Sequence, residues 1–202
     1  MKKNENYLPV SEYFLSIQGE GTNYGKFALF LRFGICNIKC KFCDTKYSWN
    51  NYKFISENKI KNILKKYSKK VSSLVITGGE PTLHNLKNII NSAKKFNYYI
   101  AVETNGTIFQ DWLKNVDFIT VSPKSENIDK RVLKIANELK FVILNKSSFK
   151  LVEKFLPFEN VILQPVDNNI KIAKMILKYI AKSNYKNFLR LGFQFHKILD
   201  VR

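Results

Sequence analysis

Short β-rich apolar runs alternate along the chain with stretches whose apolar positions recur at helical spacing. FALFLRF (27–33) reads as a strand, and Ile60, Ile63, Leu64 and Tyr67 then give the stripe of a helix. SLVIT (73–77) is the next strand; Leu86, Ile89, Ile90 and Ala93 repeat the helical stripe, and YYIAVET (98–104) follows as a strand. DFITVS (117–122), KFVIL (140–144) and NVILQP (160–165) are further short strands, helices are expected over 126–137, 148–156 and 168–182, and LRLGFQF (189–195) reads as a last extended segment.

That alternation predicts an α/β fold of parallel strands with crossover helices. Its length gives about six βα units, too few for a complete eight-stranded barrel, so an open or partial βα barrel is expected. No internal repeat or linker interrupts it, and residues 1–202 are read as one domain. Chemistry in such folds gathers at the carboxyl ends of strands. Arg32, Thr77, Gly78, Gly79, Glu103, Ser122 and Gln164 all fall at or just beyond a predicted strand end.

Composition adds limits. A hydrophobic content of 45% suits a folded globule, and no apolar run approaches the length of a membrane span. MKKNENYLPV lacks the apolar stretch of a signal peptide, so a cytoplasmic protein with reduced thiols is expected, with no membrane partner. The net charge of +18 invites a nucleic-acid reading, but the lysines are spread along the chain. Their densest group, KKYSKK (65–70), lies near the end of a predicted helix whose other face is apolar. A solvated lysine surface without direct nucleic-acid binding is the expectation.

CNIKCKFC (36–43) changes the picture most, because it holds Cys36, Cys40 and Cys43, the only three cysteines of the chain. An odd count cannot pair off in disulfides. A closed zinc site needs a fourth ligand, which only His84, His196 or a carboxylate outside the loop can supply. A four-iron cluster on three thiolates leaves one iron open to an exogenous ligand.

The C-x3-C-x2-C spacing resembles that of radical S-adenosylmethionine (radical SAM) enzymes, as does ITGGEPTL (76–83) directly after a strand. SIQGEG (16–21), CDTKY (43–47), LRFGICN, VSPK (121–124) and the ending LRLGFQFHK (189–197) narrow the resemblance to the 7-carboxy-7-deazaguanine synthases, over nearly the whole chain. One departure stands beside the first cysteine: the family usually has glycine there, and this chain has Ile35.

The resemblance implies a homodimeric lyase that contracts the ring of a pterin, 6-carboxy-5,6,7,8-tetrahydropterin, to 7-carboxy-7-deazaguanine on the route to queuosine. It implies a [4Fe-4S] cluster, SAM and Mg2+ as cofactors, and a reducing donor such as flavodoxin or ferredoxin. Carried over residue by residue, Cys36, Cys40 and Cys43 hold the cluster and Thr45 the magnesium ion. Phe42, Cys43, Asp44, Gly78, Gly79, Glu80, Ser122, Pro123, Lys124, Gln164, Pro165, Val166 and Asp167 line the SAM site, with Glu80 accepting from the methionine ammonium. Ile17, Gln18, Gly19, Glu20, Arg32, Thr77, His196 and the Arg202 terminus meet the substrate, and Arg32, Glu20 and His196 are the catalytic candidates. Two other readings share parts of this pattern: a glycyl-radical activase, which needs neither SIQGEG nor CDT, and a non-enzymatic iron–sulfur or zinc protein that binds RNA through its lysines.

Overall fold

The computed structural model describes residues 5–202, so the first four positions of the segment read above as lacking a signal peptide lie outside it. Nine strands form one sheet: β1 Tyr7–Ile17, β2 Phe27–Phe33, β3 Lys53–Ser56, β4 Ser73–Gly78, β5 Tyr99–Thr104, β6 Phe118–Val121, β7 Glu138–Ile143, β8 Val161–Pro165 and β9 Leu189–Leu191. Their order is β3-β1-β2-β4-β5-β6-β7-β8-β9. Every neighbouring pair from β2 to β9 is parallel, whereas β1 runs antiparallel to both β2 and β3. Helices α1 Glu57–Tyr67, α2 Lys87–Lys95, α3 Lys130–Ile135, α4 Phe149–Glu153 and α5 Ile170–Lys182 fall between parallel strands, and α6 Phe195–Ile198 follows β9.

The predicted parallel strands are all present, and the differences have local causes. β1 and β3 escape the pattern because Pro9 and a bulge between Val10 and Glu12 break the two-residue alternation of YLPVSEYFLSI, and KFIS is too short to show one. Ser16 and Ile17 of SIQGEG therefore end a strand, and the turn proper begins at Gln18. The helix expected over 126–137 shrinks to α3 because Asp129 caps it, its carboxylate accepting from Arg131 N. The segment 189–195 is extended only as far as Leu191; Phe195 already belongs to α6.

Strand alternation sorts side chains between two faces. Leu29, Leu31 and Phe33 of β2, Leu74 and Ile76 of β4, Ile100 and Val102 of β5, Leu139, Phe141 and Ile143 of β7, and Val161 and Leu163 of β8 pack into the large core with Ile60 and Leu64 of α1 and Ile89 and Ile90 of α2. Each such buried aliphatic contributes roughly 1.5–3 kcal/mol. The opposite face carries a smaller cluster of Ala28, Phe30, Val75 and Ala101. Above it on the same register stand Arg32, Thr77 and Glu103, and on β7 and β8 the inward positions are Glu138, Lys140, Ile162 and Gln164. The sheet curls around this face: the β1–β2 loop touches Glu138 and Lys140 of β7, Gln164 of β8 and Arg190 of β9. The result is an open barrel with polar side chains at its carboxyl-end rim.

Candidate active site

That rim encloses a cavity of about 240 Å³. One wall is the loop that leaves β2 and carries Cys36, Cys40 and Cys43, all free thiols, half-buried and facing the cavity. The loop is held at its root. Ile35 N donates to Ser48 O at 3.1 Å, Gly79 N to Phe33 O at 2.9 Å and Glu80 N to Ile35 O at 2.8 Å. A Cβ on Gly79 would stand 2.1 Å from Ile35 O, and one on Gly78 2.3 Å from Phe33 O. The close approach at these glycines is to the backbone of Phe33 at the end of β2 and of Ile35 at the root of the cysteine loop, and both glycines also line the cavity. Ile35 itself sits at φ 69°, the left-handed region where glycine is favoured.

Glu80 also departs from expectation. It is fully buried, does not line the cavity, and accepts from Thr82 N at 2.9 Å, Thr82 Oγ1 at 2.6 Å, Thr104 Oγ1 at 2.7 Å and Asn105 N at 2.7 Å. Burial pushes its carboxyl up, against the pull of Asn105, Thr82 and Thr104. These four bonds tie the turn at Glu80 to the end of β5 and occupy the carboxylate that was expected to meet an ammonium. Pro123 and Pro165 are likewise buried behind Ser122, Lys124, Gln164 and Val166, which do line the cavity.

The facing wall is the β1–β2 loop. Gln18 Nε2 donates to Glu103 at 3.0 Å, and Thr77 Oγ1 donates to the other oxygen of Glu103 at 2.9 Å. Glu20 forms an ion pair with Lys140 and accepts from Gln164 Nε2 at 3.2 Å and Gln194 Nε2 at 2.9 Å. Lys140 Nζ is also 3.7 Å from Glu103. Burial alone would raise the Glu20 carboxyl, but Lys140 and Gln194 hold it below its ordinary value. Burial pulls the Lys140 ammonium down, and Glu103 and Glu20 more than reverse that. Both partners are thus ionised.

The glycines of QGEG fit around side chains. A Cβ on Gly19 would meet His196 Nδ1 at 2.3 Å; one on Gly21, at φ 67°, would meet Glu138 Oε1 at 2.3 Å. Glu138 accepts from Thr22 N at 2.7 Å and Thr22 Oγ1 at 2.6 Å, so β7 grips the loop twice.

Arg32 lines the cavity beside the cysteine wall and donates through Nε to Glu12 at 2.9 Å. Arg202 lines it too; its Nη2 is 3.0 Å from Glu12, and its main-chain oxygen accepts from the Ser16 hydroxyl. Thr45 faces the cavity with Oγ1 3.4 Å from Cys43 Sγ. Asp44 accepts from Gln194 at 2.8 Å and pairs with Lys197 at 3.1 Å; burial would raise its carboxyl, but Gln194 and Lys197 keep it low. Ile17, Phe42, Asp167 and His196 complete the lining, so the cavity gathers every predicted site residue except Glu80, Pro123 and Pro165.

The sequence pattern of the Radical SAM superfamily matches residues 31–142, more than half of the chain. The 7-carboxy-7-deazaguanine synthase of Haemophilus influenzae is 34% identical over 100% of this chain and 99% of its own length. That of Buchnera aphidicola subsp. Schizaphis graminum is 35% identical over 97% of this chain and 100% of its own. The chain belongs to the 7-carboxy-7-deazaguanine synthase family. The crystal structure of QueE from Escherichia coli, at 23% identity, superposes with a TM-score of 0.81 over 93% of this chain and 94% of that one, which shows the shared fold.

Membership of this radical SAM family implies a [4Fe-4S] cluster and SAM. The residues suit both. Among the described residues no three His, Cys, Asp or Glu side chains converge closely enough to hold one metal ion. A cluster spreads its thiolates over separate irons and asks for no such convergence. On the SAM side, Gln164 Oε1 is buried with no hydrogen-bond partner among the described residues. An orphaned acceptor at a cavity wall suits a ligand that brings a donor. Lys140, Gln194 and Glu138 were not anticipated as site residues of the family, and Glu103 was noticed only as a strand end. The signal was available: charged residues at alternate positions inside an otherwise apolar parallel strand, as in ELKFVI, have to face something polar.

Proposed function

We propose that the chain converts 6-carboxy-5,6,7,8-tetrahydropterin to 7-carboxy-7-deazaguanine with release of ammonia; its relatives are named for making that product. The observation that carries this reading is one cavity with thiols on one wall, a guanidinium beside them, and hydrogen-bonding groups held in fixed positions on the facing wall. The bound cluster and SAM supply the radical that takes hydrogen from the substrate. The chain's own residues do the rest. Gln18, Glu20 and Glu103 present acceptors to the amide and amino edge of a pterin, with Lys140 keeping Glu20 ionised. Arg32 takes the substrate carboxylate as a planar fork, which lysine cannot reproduce. Thr77 orients Glu103; His196 seats Gly19 and borders the substrate. Phe42, Asp44, Gly79, Ser122, Lys124 and the 164–167 stretch wall the SAM site. Thr45, whose hydroxyl faces the cavity, would hold a magnesium ion, and the ion would supply a positive charge to orient the substrate.

We read the enzyme as one domain, a homodimer and cytoplasmic, reduced by a flavodoxin or ferredoxin; among the described residues no helix is long and apolar enough to cross a membrane. The test is anaerobic reconstitution followed by incubation with the carboxypterin, SAM, magnesium and a reductant. Deazaguanine product is expected from the wild type and none from Cys40→Ala. Arg32→Lys should still release 5′-deoxyadenosine while losing most product through poor positioning. Stoichiometric zinc with no SAM cleavage would overturn the reading.

A further inference from the structure

Outside the residues assigned above, one carboxylate joins three parts of the site. Glu12 lies on β1 directly opposite Arg32 in the antiparallel ladder. It is there because of the bulge: Val10 pairs with Phe33, and the next pair is Glu12 with Arg32, so Ser11 is the extra residue. A regular ladder would set Ser11 opposite the arginine. Bulges re-aim side chains in this way beside functional sites. Glu12 Oε1 accepts from Arg32 Nε at 2.9 Å and from the Tyr47 hydroxyl at 2.6 Å, and Oε2 lies 3.0 Å from Arg202 Nη2. Tyr47 belongs to the turn Lys46–Trp49 that closes the cysteine loop two residues after Thr45.

We infer that Glu12 is a positioning residue for Arg32, taking its Nε edge and aiming the Nη1 and Nη2 fork at the substrate's carboxylate. The inference rests on the assignment of Arg32 to that carboxylate. Among the described residues neither Nη1 nor Nη2 has a protein acceptor. Burial would lift the Glu12 carboxyl, but Tyr47, Arg32 and Arg202 hold it below its ordinary value, so it stays ionised at neutral pH. The Tyr47 bond also fixes the guanidinium relative to the cysteine loop, which sets the distance between the held substrate and the wall where the radical is made.

The experiment uses cluster-loaded holoenzyme. Dissociation constants for the carboxypterin are measured by equilibrium dialysis with SAM and magnesium but no reductant, and the ratio of deazaguanine to 5′-deoxyadenosine is measured with reductant. Glu12→Ala should weaken binding tenfold or more and lower the ratio, with iron content unchanged; Glu12→Gln, which keeps the shape and an acceptor, should do the same by a smaller factor and serves where the alanine variant fails to load. A double variant with Arg32→Ala should bind no worse than Arg32→Ala alone, because Glu12 acts through that side chain. Loss of iron or stability with binding and ratio unchanged in the loaded fraction would mean a purely structural role and overturn the inference. A wild-type enzyme that binds no carboxypterin would instead strike the proposed function.

Discussion

Two loops of this protein look alike in sequence and behave oppositely. QGEG (18–21) and GGEP (78–81) each stand at the end of a strand and set a glutamate beside glycines. In the first, Glu20 faces the cavity and is held ionised by Lys140. In the second, Glu80 is sealed away with four neighbouring donors on its oxygens and its carboxyl pushed up by burial. The glycines divide the same way. Gly19 and Gly21 make room for the side chains of His196 and Glu138, whereas Gly78 and Gly79 make room for the backbone of Phe33 and Ile35. What a Gly-Glu pair does depends on whether donors adjacent in sequence can reach the carboxylate first. Thr82 stands two residues from Glu80; Glu20 finds its partners only across the barrel, more than a hundred residues away.

The largest test of that contrast is deletion of each carboxylate. Glu80→Ala strands four buried donors at about 1–3 kcal/mol each, so a loss of at least 4 kcal/mol is expected in chemical denaturation, with the cluster loop failing alongside. Glu20→Ala should cost the fold less, because Lys140 keeps Glu103 at 3.7 Å, but should lower kcat/KM by about 100-fold, roughly 2.7 kcal/mol. If Glu20→Ala unfolded the protein while Glu80→Ala merely slowed it, the assignment of the two loops would be reversed.

Acid should separate the pair by sign. Glu20 has a folded-state pKa below its ordinary 4.5, so its contribution to stability is present above about that pH and is lost as pH falls through the lower value. Glu80 has a folded-state pKa above 4.5, so its contribution is full below 4.5 and is lost as pH rises through the higher value. In urea titrations from pH 3 to 7, Glu20→Gln should flatten the fall on the acid side of roughly 4.5, and Glu80→Gln the fall on the neutral side. Matching pH profiles for the two variants would erase the distinction.

The two loops also mark where the sequence was legible. The parallel strands and their helices could be read because hydrophobic burial imposes periodicity, and the cysteine loop because cluster chemistry restricts residue type and spacing. β1 and β3 could not, since Pro9, a bulge and a four-residue strand leave no period to detect. The fate of Glu80 was hidden for another reason: its donors Thr104 and Asn105 come from a neighbouring strand end, which only the register supplies. Lys140 and Glu138 were readable in principle. Charges at inward positions of ELKFVI imply partners across the barrel, but not which ones.

The smallest expected effect concerns the point where the GGE turn meets the cluster loop. Ile35 adopts φ 69°, and its carbonyl is the atom that excludes a side chain at Gly79 and accepts from Glu80 N. A left-handed conformation costs an L-residue about 1–2 kcal/mol, and β-branching makes it worse. Ile35→Gly would remove that strain, at the expense of some lost packing by a half-buried side chain and about 0.5–1 kcal/mol of added backbone entropy in the unfolded chain. A net gain of roughly 0.5 kcal/mol is therefore expected, read as a higher urea midpoint at constant slope. Ile35→Ala separates the contributions, because it removes the branched side chain while keeping the Cβ that makes positive φ unfavourable. It should be less stable than Ile35→Gly. The order glycine above alanine locates the cost in the backbone of the cluster-loop root; alanine equal to or above glycine would locate it in side-chain packing, and the strain at residue 35 would then not limit how the loop is held against the turn.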